Sequence, residues 1–237
     1  MTGHSRRTLL RLLLSIAAPL AAEASNSSNT WDERGRVERG ERLITRAQQL
    51  LTGLHAAELT PFLDEWPTDL RQRRVVPSSV PVLRWLPEIQ KSAPEFSASV
   101  VTALVAAAPF LAWRRSYTAA EVGAAFLEHY GWTELVGLTG PVASEHLACG
   151  VLVLGADVTY PRHRHEAEEI YVPLAGTARW QGGDGHWIER SPGSVIHHAR
   201  HEPHAMQTGS TCLLALYLWR SANLAQKSHL DPALGST

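Results

Sequence analysis

The second half of the chain is a series of short β-type runs separated by glycine turns. The runs are residues 149–158, 170–174, 177–181, 195–198 and 212–219, and glycines stand between them, as at Gly176, Gly193 and Gly209. Several short strands at this spacing, with glycine at the turns, are typical of an all-β barrel or jelly roll. The sequence therefore predicts a β-barrel over residues 141–225, with a short tail over residues 226–237.

The region before the barrel shows helical patterns. Apolar residues recur at three-and-four spacing from Leu43 to Leu54, which predicts a helix over residues 32–63. The alanine-rich run 96–112 predicts a second, buried helix. Thr118 and Glu121 form a capping-box pattern that opens a third helix through His129. We therefore predict a helical region over residues 25–140, which begins with a polar linker at 24–31.

The first 24 residues resemble an export signal. Arg6 and Arg7 precede an apolar stretch, and Ala22-Glu23-Ala24 places small residues at the spacing of a cleavage site. The run from Ser5 to Arg11 also resembles the twin-arginine signal of bacteria. We expect a periplasmic location, and an amphipathic first helix of a cytoplasmic protein is the alternative. The apolar stretch is too short and too interrupted for a lasting membrane span.

Composition narrows the classes of partner and cofactor. The formal net charge is −1, and no basic stripe is present, so nucleic acid is not an expected partner. Two cysteines, Cys149 and Cys212, are too few for a thiolate zinc site, and their apolar surroundings indicate core residues. A single disulfide between them is an open alternative for an exported protein. The oligomeric state is also open, with a homo-oligomer as one option.

Histidines concentrate inside the predicted barrel, where seven of the twelve lie between His163 and His204. His163 and His165 are two residues apart, so in a strand their side chains point to the same side. Glu169 and Tyr171 form a second such pair at the start of the next strand. If a tight turn joins the two strands, both pairs meet inside the barrel, and His204 arrives on a returning strand.

Three imidazoles and one carboxylate suit a catalytic metal site. This ligand set leaves open positions on a divalent transition metal ion such as Fe²⁺, Zn²⁺ or Mn²⁺. Glu166 and Glu168 compete with Glu169 for the carboxylate position, but both have the opposite strand parity. The remaining histidines of the stretch are expected to be loop or surface residues: His186, His197, His198 and His201.

The spacing His163-x-His165-x3-Glu169-x6-Gly176 matches the first motif of the cupin superfamily, and residues 191–204 resemble the second motif. The usual closing asparagine position of the second motif holds another residue. The resemblance implies a double-stranded β-helix, or jelly-roll barrel, with His163, His165, Glu169 and His204 as metal ligands. The expected fold class is therefore mainly β, with a C-terminal cupin barrel and an N-terminal α-helical region.

Further stretches resemble the cupin-type dimethylsulfoniopropionate lyases, which cleave that substrate into dimethyl sulfide and acrylate. They are residues 126–135, 159–163, 167–171, 176–180 and 214–220. The resemblance implies a small sulfonium carboxylate substrate and Tyr171 as the base that removes the α-proton. A free tyrosine titrates near 10, so it needs a nearby cation to act as a base. Tyr160 and Tyr217 are candidates to bind the substrate carboxylate or assist proton transfer.

Two other readings of the same residues remain open. A different cupin enzyme, such as a dioxygenase or a sugar isomerase, would use the same metal ligands. A non-catalytic cupin that binds a small ligand would lack a base near the metal, and Tyr171 argues against that reading. Trp180 and Trp219 are either barrel packing or aromatic faces for a sulfonium group.

Overall fold

The computed structural model describes residues 18–231 of the 237. The described residues fall into two compact units, which meet between Glu38 and Arg39 in the sequence. The export signal predicted at 1–24 lies mostly outside the described residues, and it stays a prediction. In the first unit the described backbone is helical from Ala18 onward, and Arg36 pairs with Glu33 within that unit.

Helix α1 spans Ala18–Gly53, so the linker predicted at 24–31 is helical instead. Its serines and asparagines are only slightly poorer helix formers than alanine, and the segment has no proline or glycine to end the helix. The predicted apolar face is confirmed, because Leu43, Ile44 and Leu51 are buried. The helix ends at Gly53 rather than near 63, and His55 follows with φ 51°.

Within the described residues, five shorter α-helices lie between α1 and the barrel. They are α2 (Thr60–Leu63), α3 (Leu86–Ser92), α4 (Glu95–Ala107), α5 (Ala119–Val122) and α6 (Ala124–Glu128). The predicted capping box is present, since Thr118 and Glu121 bond to each other's backbone at the start of α5. The predicted single helix through His129 is wrong: Gly123, at φ 81°, separates α5 from α6, and a strand starts at Tyr130.

Eleven strands follow within the described residues. They are β1 (Tyr130–Gly137), β2 (Val142–Ala143), β3 (Leu147–Leu154), β4 (Thr159–Arg164), β5 (Glu168–Ala175), β6 (Ala178–Gly182), β7 (Ile188–Arg190), β8 (Ile196–His198), β9 (His204–Thr208), β10 (Leu213–Arg220) and β11 (His229–Leu230). One sheet has the order β2-β1-β3-β10-β5-β8 and the other β11-β4-β9-β6-β7. The non-sequential order of these mainly antiparallel strands is that of a jelly-roll barrel, and the predicted fold class is confirmed.

The six-stranded sheet is covered on both faces. Strand β3 is buried throughout because its side chains alternate between two clusters. Val151 and Val153 belong to a cluster shared with α4 residues such as Leu104, whereas Leu152 and Leu154 belong to the cluster inside the barrel. The helical region thus supplies the outer cover of this sheet, and the opposite face lines the barrel interior.

Two strands fall outside the predicted barrel range of 141–225. Strand β1 begins at Tyr130 and pairs with β3, and β11, in the predicted tail, pairs with β4 beside His163. Strand β1 is next to an edge strand and β11 is an edge strand. Strand β11 is recognisable only from its partner, because two residues have no periodicity of their own. Within residues 18–231, no helix combines the length and the hydrophobicity that crossing a membrane would require.

Gly176 is a position where the fold requires glycine. It has φ 78°, and a Cβ there would lie 1.9 Å from the carbonyl oxygen of Cys212. We expect Gly176→Ala to lower the free energy of unfolding by at least about 2 kcal/mol, measured by urea denaturation. Gly209→Ala is the matched control, because nothing lies within 4 Å of its Cβ position. Equal denaturation midpoints for the two variants would contradict this account.

Candidate metal centre

Both sheets contribute to a buried group of three histidines and one glutamate. His163 in β4 and His204 at the start of β9 are directly paired across the five-stranded sheet. Glu169 comes from β5 in the six-stranded sheet, and His165 directly follows β4. Their candidate ligand atoms all lie within 4.8 Å of one another, and every side chain is buried. These four residues, His163, His165, Glu169 and His204, are called the ligand cluster below.

Backbone carbonyls fix the orientation of all three imidazoles. Nδ1 of His163 lies 2.9 Å from the carbonyl oxygen of Pro161, and the other two histidines repeat this contact at 2.9 Å with Ala167 and Glu202. A carbonyl oxygen only accepts, so each Nδ1 carries the hydrogen and donates it. In the neutral ring each Nε2 then has a free lone pair, which is the usual arrangement of metal-binding histidines.

The Nε2 lone pairs of His165 and His204 face a carboxylate oxygen rather than a hydrogen-bond donor. Oε2 of Glu169 lies 2.8 Å from Nε2 of His165 and 3.1 Å from Nε2 of His204. Nε2 of His204 is buried and makes no hydrogen bond with any described residue. Acceptors that face each other repel unless a proton or a cation lies between them. The ligand cluster therefore fits a divalent transition metal ion, whose preferred donors are imidazole nitrogen and carboxylate oxygen.

The protonation states also favour metal binding. Burial lowers the pKa of His163 well below its usual value, so this ring is neutral. Burial raises the pKa of Glu169, but the neighbouring His165 and His204 more than offset it, so the pKa lies well below the ordinary range. The cluster thus contains an ionised carboxylate and at least one neutral imidazole, which are the states that bind metal. Burial lowers the pKa of His165, but the charge of Glu169 and the hydrogen bonds to Glu169 and Ala167 together outweigh it, so the pKa is raised.

Burial distinguishes Glu169 from Glu166 and Glu168, the two other glutamates that could supply the carboxylate of the cluster. Glu169 points into the cluster, whereas Glu168 points outward and binds His197 and Arg220. Glu166 lies on the outer side, where it pairs with Arg200. The structure thus brings together the four ligands that were predicted and leaves the competing carboxylates outside.

Tyr171 and Tyr217 are a cross-strand pair next to the ligand cluster. In the register of β5 and β10, Tyr171 is opposite Tyr217 and Glu169 is opposite Trp219. Burial, followed by the negative charge of Glu169, raises the pKa of Tyr171 well above its usual value. Burial likewise raises the pKa of Tyr217. Both phenols are therefore protonated while no cation is near them.

Tyr160 lies on the same side of its strand as His163 because of a β-bulge. Strict alternation would place residues three apart on opposite faces. The pairing of β4 with β9 shifts between Tyr160 and His163, so one extra residue restores the same face. The two rings stack with centroids 4.2 Å apart. Tyr160 therefore lies next to a cluster histidine, although its sequence spacing does not indicate this.

Sequence reasoning missed a chain of hydroxyl groups that ends on Tyr160. Trp132 Nε1 donates to Ser116 Oγ at 2.9 Å, and Ser116 Oγ lies 3.0 Å from the Tyr130 hydroxyl. The Tyr160 hydroxyl lies 3.4 Å from that of Tyr130 and 3.1 Å from that of Tyr117. These residues come from segments far apart in the sequence, and no local pattern links them. The chain holds the Tyr160 hydroxyl in place.

His198 differs from its predicted surface position. Its side chain is buried, and neither ring nitrogen has a hydrogen-bond partner among the described residues. The ring stacks on His204 with centroids 4.1 Å apart, because β8 pairs with β5 and places His198 opposite Glu169. His197, by contrast, points outward as expected, and His201 is an exposed loop residue with φ 60°.

A cavity of about 260 Å³ opens beside the ligand cluster. Its lining includes His163, Glu169, Tyr160, Tyr171, Tyr217 and Trp219. The predicted C-terminal tail also contributes, because Lys227 lines the cavity and its Nζ lies 2.9 Å from Oε1 of Glu121 at the start of α5. The cavity therefore places four tyrosines and two tryptophans around the same space as the ligand cluster.

The fold is that of a cupin, and its three histidines and one glutamate form a buried group that could hold a metal ion. The profile of the DMSP lyase family (dimethylsulfoniopropionate lyase) matches residues 56–215. The chain therefore belongs to the dimethylsulfoniopropionate lyase family.

Individual relatives agree with this assignment. The dimethylsulfoniopropionate lyase DddQ of Ruegeria pomeroyi is 35% identical over 174 residues, which cover 70% of this chain and 84% of the relative. The crystal structure of DddQ from Ruegeria pomeroyi DSS-3 is similar with a TM-score of 0.73 and 30% identity, covering 81% of this chain and 96% of that one. A chain from the crystal structures of the DMSP lyases RdDddP and RnDddQII is similar with a TM-score of 0.75 and 32% identity. The match covers 84% of this chain and 100% of that one.

Proposed function

We propose that this chain cleaves dimethylsulfoniopropionate into dimethyl sulfide and acrylate. The observation that carries the proposal is that Tyr171 and Tyr217 line the same cavity as His163 and Glu169. The substrate is inferred from the family to which the chain belongs, and the side chains that its cleavage would need are inferred from the cavity lining. A binding protein would not need a phenol held against a metal-binding carboxylate.

The reaction is an elimination that needs one base. The α-carbon loses a proton, and the electron pair of that C–H bond forms the double bond of acrylate. The bond between the β-carbon and sulfur breaks, and sulfur leaves with its electron pair as neutral dimethyl sulfide. The products are therefore acrylate, dimethyl sulfide and one proton, and no oxidant or reductant takes part.

We assign the proton transfer to the Tyr171 hydroxyl. A bound divalent ion would supply Lewis-acid stabilisation of the substrate carboxylate and a positive charge that favours the phenolate form of a neighbouring tyrosine. The side chain is 4% exposed, so water does not compete for its oxygen. Tyr171 then accepts the α-proton at Oη, and general-base catalysis of this kind contributes typically ~10²–10⁴-fold.

Tyr160 and Tyr217 are proposed to orient the substrate. Their hydroxyls lie in the cavity wall, and hydrogen bonds to the substrate carboxylate would align the α-carbon with Tyr171. The sulfonium end carries a positive charge, which the faces of aromatic rings attract. Trp132 and Tyr130, at the same cavity, offer such faces.

We propose Fe²⁺, Zn²⁺ or Mn²⁺ as the metal ion of the ligand cluster. All three accept imidazole and carboxylate donors, and the buried position excludes most solvent from the site. Metal content of the purified protein, measured by atomic spectroscopy, identifies which ion is bound. A ratio far below one ion per chain after incubation with each of the three metals would contradict this proposal.

Headspace detection of dimethyl sulfide tests the activity directly. Purified protein with substrate is expected to release dimethyl sulfide and acrylate in equal amounts, with or without oxygen. Removal of the metal by a chelator should abolish the release, and re-addition of one of the three ions should restore it. No dimethyl sulfide from the metal-loaded protein would refute the proposed activity, and a requirement for oxygen would indicate a dioxygenase instead.

A further inference from the structure

Trp219 makes a direct hydrogen bond to the carboxylate of the ligand cluster. Its Nε1 donates to Oε1 of Glu169 over 2.6 Å, which is short for an N–H donor and typical of a bond to an ionised acceptor. Backbone register produces this contact, because Trp219 in β10 is the cross-strand partner of Glu169 in β5. Directly opposed residues of an antiparallel pair have their side chains side by side on one face.

The same indole also contacts a histidine of the cluster. Its ring lies against that of His165, with centroids 4.2 Å apart and an interplanar angle of 33°. The His165 ring is thus confined on one side by the indole and tethered at Nδ1 by the Ala167 carbonyl. Trp219 therefore touches two of the four predicted ligands, Glu169 by a hydrogen bond and His165 by a tilted ring contact.

The two oxygens of Glu169 are divided between different partners. Oε2 faces Nε2 of His165 and Nε2 of His204, whereas Oε1 is occupied by the indole of Trp219. An indole N–H is a donor only, so it does not compete with the carboxylate for a cation. The bond holds the carboxylate in one orientation, with a single oxygen turned toward the histidines.

We infer that Trp219 is a positioning residue of the metal centre: its indole N–H orients Glu169 so that one carboxylate oxygen is offered to the ion. This inference rests on the metal site of the proposed function but not on the identity of the substrate. One carboxylate oxygen with three imidazoles leaves positions open on the ion, as a catalytic site requires. Outer partners of metal ligands typically change metal affinity by ~10–100-fold when they are removed.

Trp180 is the matched control for a role in packing. It is a buried tryptophan of the same barrel, and its Nε1 has no hydrogen-bond partner among the described residues. Its ring lies 6.2 Å from that of Tyr171, and no ring contact or hydrogen bond joins it to the ligand cluster. Phenylalanine removes the indole at either position. Only at position 219 does this change also remove a hydrogen-bond donor to Glu169.

The test measures metal affinity without substrate. Apo-protein of Trp219→Phe, Trp180→Phe and the unmodified chain is titrated with Zn²⁺ against a chromophoric chelator, and thermal unfolding of each apo-protein reports its stability. Trp219→Phe is expected to bind Zn²⁺ ~10–100-fold more weakly, and Trp180→Phe within about 3-fold of the unmodified chain. An unchanged affinity in Trp219→Phe would overturn the inference, whatever the substrate proves to be.

A second replacement separates the hydrogen bond from the shape of the side chain. Benzothienylalanine at position 219 keeps the bicyclic ring but has sulfur in place of the N–H, so it folds as tryptophan does and donates nothing. It should reproduce the loss of Zn²⁺ affinity seen with phenylalanine. Full affinity in this variant would assign the effect to packing against His165 and would refute the role of the N–H. It also decides the question if Trp219→Phe does not fold.

Discussion

Tyr171→Phe is expected to reduce dimethyl sulfide release by about 10³-fold or more while the metal content stays the same, in the range typical for loss of a general base. The change removes only the hydroxyl oxygen, so the ring still fills its buried position beside Trp180 and His198. None of the four predicted ligands is altered. The loss should therefore fall on kcat, because the step that is removed is the proton transfer.

The structure explains why this phenol depends on its surroundings. Burial and the Glu169 carboxylate raise the pKa of Tyr171 well above its usual value, which is the opposite of what a base at neutral pH requires. Only a positive charge in the adjacent ligand cluster reverses that effect. Removing either the phenol or the metal should thus stop the reaction, whereas removing the phenol alone should leave the metal bound.

Tyr217→Phe is the matched comparison, because Tyr217 is the cross-strand partner of Tyr171 and lines the same cavity. Its kcat for dimethyl sulfide release should fall by about 10-fold, as expected for the loss of one hydrogen bond to a charged group that orients the substrate. The measurement is kcat by headspace dimethyl sulfide together with metal per chain. Full turnover in Tyr171→Phe would remove Tyr171 from the mechanism, and a larger loss in Tyr217→Phe would move the base to Tyr217.

His204→Ala should lose bound metal and activity together. His204 is 1% exposed, its Nδ1 is held by the Glu202 carbonyl, and its Nε2 has no hydrogen-bond partner in the described structure. Metal affinity is expected to fall by more than the ~10–100-fold that loss of an outer hydrogen-bond partner causes. His163→Ala should behave in the same way, because His163 is paired with His204 across the sheet.

His197→Ala is the control for this prediction, since His197 lies next to the site in sequence but points outward toward Glu168. It should retain its metal, measured by atomic spectroscopy after gel filtration. Normal metal content in His204→Ala would contradict the assignment of His204 as a metal ligand. The stacked His198 sharpens the test: loss of metal only in a double variant of His198 and His204 would show that either ring serves as the ligand.

Most of the ligand cluster could be predicted because three of its four residues lie close together in the sequence. His163 and His165 are two residues apart at the end of one strand, and Glu169 is near the start of the next. Strand parity separates Glu169 from Glu166 and Glu168, and the burial of Glu169 agrees with that choice. His204 was predictable only through the second motif, because forty residues of intervening chain leave its position to the fold.

Helix ends and weak strands were predicted less well. The capping box at Thr118 is local and was found, but the break at Gly123 and the strand beginning at Tyr130 were not. A glycine inside a helical pattern is often tolerated, so its positive φ depends on what the next segment packs against. Strand β11 consists of two residues, and only its pairing with β4 defines it.

The sequence by itself predicted the barrel, the cluster of His163, His165, Glu169 and His204, and the position of Tyr171 two residues beyond Glu169, because alternation and motif spacing act over a few residues. Tertiary structure alone decided that Trp219 bonds to Glu169, that a bulge turns Tyr160 toward His163, and that His198 is buried against His204. These contacts depend on which strands pair and in which register. Register depends on which faces of the two strands are buried and on the turns that connect them, so it is decided by both segments together.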